Sequence, residues 1–248
     1  MGYVFSIKCT EMEEFNMDFY EKRDNRNYGV YVDNNAFQKD LSKVFGWLFL
    51  GLMLSAVAAY LGASLFFSHI STSGVFACSL VEIALVIFLT ARINKMSHST
   101  AVASFIGYSL LNGVTLSSIF FVYNMGSIVT AFLLSAIFFG FMALYGLTTN
   151  KDLSSLGTMF FVGLIAIIAV SILNIFIKSS GFELFIAYAG VAVFVGLTAY
   201  DMQKIKYMYQ TNSGAINQNM SILAALTLYL DFINLFLRVL TIVGKKDD

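Results

Sequence analysis

Asp231 lies in the middle of an apolar run, residues 222–243, that is long enough to cross a bilayer. Asn234 and Arg238 follow it at intervals of about one helical turn. A carboxylate at the bilayer centre costs about 2.5–3.5 kcal/mol on insertion scales. A buried acid in a membrane span is by default a functional group. Asp231 is therefore a candidate functional group.

Polar residues follow three of the apolar segments at helical spacing. In residues 222–243 they are Thr227, Asp231, Asn234, Arg238 and Thr241. In residues 100–123 they are Ser104, Tyr108, Asn112, Thr115 and Ser118, and in residues 156–177 they are Ser171 and Asn174, with Lys178 next. Such spacing keeps each set on one helix face, which must point away from lipid.

These polar faces have two interpretations. In the first they line a shared polar interior, and Glu82, Asn112, Thr227, Asn234 and Arg238 are the pore-lining candidates. In the second, the Ser, Thr and Asn side chains only join helices by hydrogen bonds, worth under about 1–2 kcal/mol each. The buried acid favours the functional interpretation for its own helix.

Two further acids lie in or against apolar segments. Asp201 ends the sixth one, in GVAVFVGLTAYDMQKIK, and the helix is expected to continue through Lys204 and Lys206, whose side chains can snorkel to the surface. That continuation places Asp201 about one turn inside the interface; a solvated interfacial acid is the alternative. Glu82 lies in the second segment, where a protonated acid donating one hydrogen bond is the alternative to an ion-pathway group.

Basic side chains set the orientation. Eleven lysines and arginines fall in the first 43 residues and in the loops after the second, fourth and sixth segments, against three on the other side. The positive-inside rule then predicts a cytoplasmic N-terminal tail and an external C-terminus. Arg92, at the inner end of the second segment, is either a topological anchor or a functional group. His69 and His98 fall in opposite loops and predict no metal site.

Seven apolar segments must position these residues: 44–67, 74–91, 100–123, 127–147, 156–177, 182–200 and 222–243. The chain is 58% hydrophobic and only 12% charged, whereas soluble domains carry about 25% charged residues. Backbone groups in lipid must bond internally, so each segment is predicted to be a helix. The expected architecture is all-α, with a disordered cytoplasmic tail over 1–43 and a seven-helix transmembrane domain over 44–244.

The stretches GLTAYDMQKIK and LTLYLDFINLFLRVL resemble the Bax inhibitor-1 family, also called the transmembrane Bax-inhibitor-motif group, and its bacterial members in particular. ARINKMS after the second segment and TTNKDLSSLG after the fourth resemble it too. The resemblance covers roughly residues 41–244.

The resemblance implies a seven-helix bundle with the last helix central, and a pH-sensitive calcium leak. It implies a hydrogen-bonded aspartate pair near the cytoplasmic side, matched by Asp201 and Asp231. It links an arginine at the position of Arg92 to gating, and Glu82 matches a glutamate of the same helix. A bacterial plasma membrane is the expected location.

Elementary electrostatics fits that implication. Two adjacent carboxylates do not both ionise easily, so they titrate as one unit. Calcium takes 6–8 oxygen ligands, and the Asp201–Asp231 pair with water and carbonyls would form a weak, transient site of the kind that permeation requires. No cofactor is expected, calcium being the permeant ion. The zero net charge gives no indication of nucleic acid, and the expected partners are the lipid bilayer, calcium and protons.

Other function classes fit the sequence less well or stay open. An aspartyl intramembrane protease would carry its second aspartate after Gly-x-Gly, whereas this chain has LYLD before Phe232. A retinal protein would need a lysine inside the last helix, where there is none. A non-conducting regulator that binds other membrane proteins, such as a membrane protease or cell-death factors, stays open as the alternative to a channel. The chain is not expected to be an enzyme.

Overall fold

The computed structural model describes residues 34–65, 72–93, 95–211 and 217–244. These ranges contain seven α-helices, numbered α1 to α7. They are α1 (Asn34–Leu65), α2 (Thr72–Arg92), α3 (His98–Leu116), α4 (Met125–Thr148), α5 (Ser154–Ile177), α6 (Ser180–Thr211) and α7 (Gln218–Val243). A short 3-10 helix, Ser117–Phe121, follows α3. The prediction of a disordered tail falls, for residues 1–33, outside the described residues.

Six of the helices contain a stretch long and apolar enough to span a membrane. These stretches are Ala36–Ser64, His98–Phe121, Met125–Thr148, Ser154–Asn174, Ser180–Gln210 and Gln218–Val243. The remaining helix, α2, has 21 residues, which at ~1.5 Å per residue matches a hydrocarbon core of about 30 Å. The predicted all-α membrane architecture is confirmed.

Two helices are longer than their apolar segments predict. α1 begins at Asn34, so residues 34–43, predicted as part of the tail, are helical. The extension is stabilised by Phe37, whose ring lies 4.9 Å from that of Tyr209, and by an ion pair of 2.6 Å between Lys43 and Asp40. α6 continues to Thr211, as predicted from its polar end.

The described residues up to Leu116, together with those of Tyr209–Leu223, form the first of two compact units. Its centre is the contact between α1 and α3, where small residues allow close approach. A Cβ atom on Gly113 would lie 2.5 Å from the Ser55 carbonyl oxygen. The Ser55 hydroxyl donates to the Ser109 carbonyl at 2.7 Å, and both serines are buried. Small and hydroxylated residues of this kind are typical of helix packing in membranes.

The second unit is formed by Ser117–Met208 together with the described residues from Ala224 onward. Within it, α7 packs on α4 through aromatic rings: Phe132 and Phe139 meet Phe232 at centroid distances of 5.3 and 5.6 Å, in edge-to-face geometry. α7 is also the most buried of the six candidate spans, with 67% of its apolar window buried against 39% or less for the others. The central position of the last helix stays a prediction.

Candidate functional site

The two aspartates that the sequence singled out both lie in the second unit. Asp201 on α6 is 6% exposed and Asp231 on α7 is 5% exposed. Asp201 lies ten residues before the end of α6, and Asp231 thirteen residues after the start of α7. Those offsets correspond to about 15 Å and about 20 Å of helix. The side chain of Asp201 is buried rather than solvated, and its position about one turn inside the interface stays a prediction. Contact between the two carboxylates stays a prediction.

Close packing fixes the segment of α6 around Asp201. A Cβ atom on Gly146 of α4 would overlap the Ala199 carbonyl oxygen, and one on Gly157 of α5 would lie 2.5 Å from the Tyr200 ring. These glycines let two neighbouring helices approach the residues immediately before Asp201. We call the set formed by Gly146, Gly157 and the loop 149–153 the α4–α5 clamp.

Two polar side chains of α6 complete this attachment. Gln203 is 2% exposed. Its Oε1 accepts from the Leu153 amide and its Nε2 donates to the Lys151 carbonyl, each at 2.8 Å. Lys206 Nζ donates to the Leu147 carbonyl at 2.8 Å, near the end of α4. Lys206 therefore satisfies a carbonyl near the end of α4, and snorkelling of its side chain to the surface stays a prediction.

Replacing Gln203 by glutamate tests this attachment. The carboxylate keeps the acceptor for the Leu153 amide but turns an oxygen toward the Lys151 carbonyl, where the amide donated. A buried carboxylate oxygen that faces a carbonyl oxygen without a hydrogen between them costs about 1–3 kcal/mol. The variant should therefore unfold at a lower temperature in detergent. Gln38→Glu, on the exposed side of α1, is the control and should change stability by less than about 0.5 kcal/mol. Equal losses in both variants would assign the effect to added charge alone.

Glu82 is bound by the polar face of α3 within the first unit. Its Oε1 accepts from the Thr115 hydroxyl at 2.5 Å and its Oε2 from the Asn112 amide at 3.2 Å. Both carboxylate oxygens of Glu82 therefore have a partner on α3. The arrangement brings together two of the predicted pore-lining candidates, Glu82 and Asn112.

Two residues on the polar face of α7 hydrogen-bond to carbonyl groups of their own helix. The Asn234 amide donates to the Leu230 carbonyl at 2.7 Å, and the Thr241 hydroxyl donates to the Leu237 carbonyl at 2.9 Å. Both bonds lie within the helix, so these bonds do not join α7 to another helix. Thr227 is half-buried on the same face.

Arg238 is the positively charged residue on the polar face of α7. Its aliphatic stem lies against Gly190 of α6, where a Cβ atom would be 2.8 Å from Arg238 Cγ. The glycine therefore makes room for the arginine, and Gly190 belongs to the surroundings of the predicted pore-lining residue.

Arg92 is exposed in the last turn of α2. The loop that follows is held by Asn219, at the start of α7, whose side-chain amide donates to the Ile93 and Met96 carbonyls at 3.1 and 3.0 Å. Asn219 and Gln203 are two polar residues of consequence that the sequence pattern did not single out. Each lies in a polar stretch of its helix, where amide side chains are common, so their type alone does not distinguish them.

The predicted metal residues are the two aspartates. A calcium ion held by Asp201 and Asp231 would take its remaining ligands from water and backbone carbonyls, because two carboxylates supply at most four of the 6–8 oxygens that calcium prefers. In the described ranges, no group of three or more His, Cys, Asp or Glu side chains forms a metal site.

Comparison with known proteins identifies the family. The family model described as "Inhibitor of apoptosis-promoting Bax1" matches residues 37–248. The inner membrane protein YbhL of Escherichia coli K12 is 45% identical over 228 residues, covering 89% of this chain and 97% of YbhL.

Two other bacterial relatives agree. A protein of Borreliella burgdorferi is 43% identical over 84% of this chain and 92% of its own length. Protein RP147 of Rickettsia prowazekii is 35% identical over 87% of this chain and 93% of its own length. None of the three names states an enzymatic activity. Together with its membrane-spanning helices, these matches show that the chain is a multi-pass bacterial membrane protein and that it belongs to the Bax inhibitor-1 family.

Proposed function

We propose that this protein is a pH-sensitive calcium leak channel whose gate is the pair Asp201 and Asp231. The observation that carries the proposal is the burial of both acids, each more than two turns inside a membrane-spanning helix. A buried intramembrane acid is costly and is by default a functional group. Two of them on consecutive helices of one unit favour a coupled site over two unrelated structural acids.

The proposed gate works through one shared proton. When the pair holds a proton, a short hydrogen bond joins α6 to α7 and the path is closed. When both carboxylates are ionised, their repulsion favours separation, and a calcium ion entering between them offsets that repulsion. Because calcium is held by few protein ligands, it also leaves readily, as conduction requires.

The α4–α5 clamp indicates which helix moves in this proposal. Gln203 and the glycine contacts attach the Asp201 segment of α6 to α4, to α5 and to the loop between them. α7 meets α4 through aromatic rings, which adjust more easily than backbone-to-backbone packing. Opening is therefore assigned to a displacement of Asp231 away from a fixed Asp201.

Calcium entry into liposomes that contain the purified protein tests the proposal. Entry should exceed that of empty liposomes and should vary with pH. A reconstituted, folded protein that carries no calcium at any pH would remove the channel proposal. The non-conducting regulator of other membrane proteins would then be the better function.

Arg92→Ala tests the proposed gating role of the exposed arginine. If Arg92 takes part in gating, the variant should change calcium flux at least severalfold while inserting normally. Lys95→Ala is the matched control, since Lys95 is an exposed cation of the following loop. If both cations are only positive-inside anchors, the two variants should show equally reduced insertion. An unchanged flux in normally inserted Arg92→Ala would return Arg92 to the role of an anchor.

A further inference from the structure

Asn219 ties the start of α7 to the loop between α2 and α3. Its Nδ2 donates to the carbonyl oxygens of Ile93 and Met96, at 3.1 and 3.0 Å. The amide group thus bridges two backbone acceptors that lie more than 120 residues earlier in the chain. Ile93 is buried, at 2% exposure, so one of the two acceptors belongs to a packed residue of the loop.

The orientation of the Asn219 amide follows from these partners. Carbonyl oxygens only accept, so the atom facing both of them must be the nitrogen. The oxygen Oδ1 then faces His98 Nδ1, at 3.1 Å. His98 must therefore carry a proton on Nδ1, whether the ring is neutral or charged, and it donates to Asn219. All three bonds consequently favour a single position of the Asn219 side chain.

The loop that Asn219 holds is the one that ends the helix of Arg92. The amides of Lys95 and Met96 both donate to the Arg92 carbonyl oxygen, at 2.9 and 3.1 Å. Met96 thus bonds to Arg92 through its amide and to Asn219 through its carbonyl. The last turn of α2, the loop and the first turn of α7 form one continuous hydrogen-bonded chain, which we call the Asn219 latch.

We propose that Asn219 is a positioning residue for Arg92, acting through this latch. The helix that begins at Gln218 also carries Asp231. A shift of the start of α7 would therefore reach, through the latch, the end of α2 that bears Arg92. The inference rests on the proposed function for the role of Arg92, but the latch itself does not depend on any ion being transported.

Asn219→Asp tests the latch with almost no change in size. The new carboxylate presents oxygen to both carbonyls and loses both donations. Hydrogen exchange of the Lys95 and Met96 amides, followed on peptides that cover residues 92–97, should become about tenfold faster. Asn217→Asp is the matched control. The side-chain oxygen of Asn217 accepts from the backbone N–H of Asn219 at 3.1 Å, and an aspartate oxygen accepts the same bond equally well.

Exchange that stays at the wild-type rate in Asn219→Asp would overturn the latch, and so would equal acceleration in Asn217→Asp. If the aspartate variant does not fold, Asn219→Ser removes the same donors without adding charge, and the same exchange result is expected. These measurements require no flux, so they decide the latch even if the protein proves not to conduct calcium.

A double-mutant cycle then separates positioning from general stability. Asn219→Asp should change calcium flux in the same direction as Arg92→Ala. Added to Arg92→Ala, it should change flux no further, because its effect passes through the missing guanidinium. Additive effects would overturn the positioning role while leaving the latch intact. Absence of flux in the wild-type protein would instead contradict the proposed function.

Discussion

Replacing either gate aspartate by asparagine is expected to remove the pH dependence of calcium flux. Asp201→Asn and Asp231→Asn keep the size of the side chain but leave one titrating group where the wild type has a coupled pair. A single carboxylate beside an amide has no like charge to repel, so its protonation no longer decides between a closed and a separated pair. Flux should then be nearly constant over the range in which the wild type changes several-fold.

The double variant should behave like each single one, because the two residues act as one unit. Calcium entry into proteoliposomes at several pH values is the measurement. Glu183→Gln, an exposed acid in the first turn of the same helix as Asp201, is the control and should keep the wild-type profile. If both aspartate variants also kept that profile, the pair would be structural and the regulator function would gain support.

Gly146→Ala is expected to destabilise the protein more than the same change at either of the other glycines of α4, Gly126 and Gly140. The added Cβ would overlap the Ala199 carbonyl oxygen, which belongs to helix backbone and cannot rotate away. Overpacking of this kind typically costs about 1–3 kcal/mol, and for a chain of this size each kcal/mol lowers the unfolding temperature by about 2–4 °C. Because Ala199 is two residues from Asp201, the pH profile of flux should shift as well.

Gly140→Ala is the matched control on the same helix, since no atom lies within 4 Å of its added Cβ. Alanine has the higher helix propensity, so this control should be neutral or slightly stabilising. Thermal unfolding in detergent compares the two variants directly. Equal stability of both would mean that α4 moves away from α6 at little cost, and the fixed half of the gate would then have to be sought elsewhere.

Much of the fold was predictable because membrane helices are recognisable as long apolar runs. All seven predicted segments are found as helices, and the continuation of α6 beyond Asp201 was predictable from the lysines near its end. The prediction for the start of α1 was wrong because residues 34–43 are polar, and their helix depends on a contact between Phe37 and the distant Tyr209.

Residues of the candidate site were predictable only where the residue type is unusual for the segment in which it lies. Asp201, Asp231 and Glu82 stand out as acids in apolar segments, and the polar face of α3 that meets Glu82 was visible from its spacing. Gln203 and Asn219 were missed because an amide side chain in a polar stretch of a helix is ordinary. Their importance comes from backbone partners that are about 50 and more than 120 residues away, which no local pattern specifies.

The discontinuous composition of the first unit has a consequence for how the protein is made. Residues Tyr209–Leu223 belong to the same compact unit as the first three helices, yet almost a hundred residues of the second unit are synthesised between them. During translation, α1, α2 and α3 are therefore in the membrane well before Asn219 exists, and the carbonyls of Ile93 and Met96 lack that donor until α7 begins to emerge. The loop that ends at α3 is consequently among the last parts of the nascent chain to reach its final structure, and a ribosome stalled before residue 217 would hold a first unit that is inserted but not yet closed.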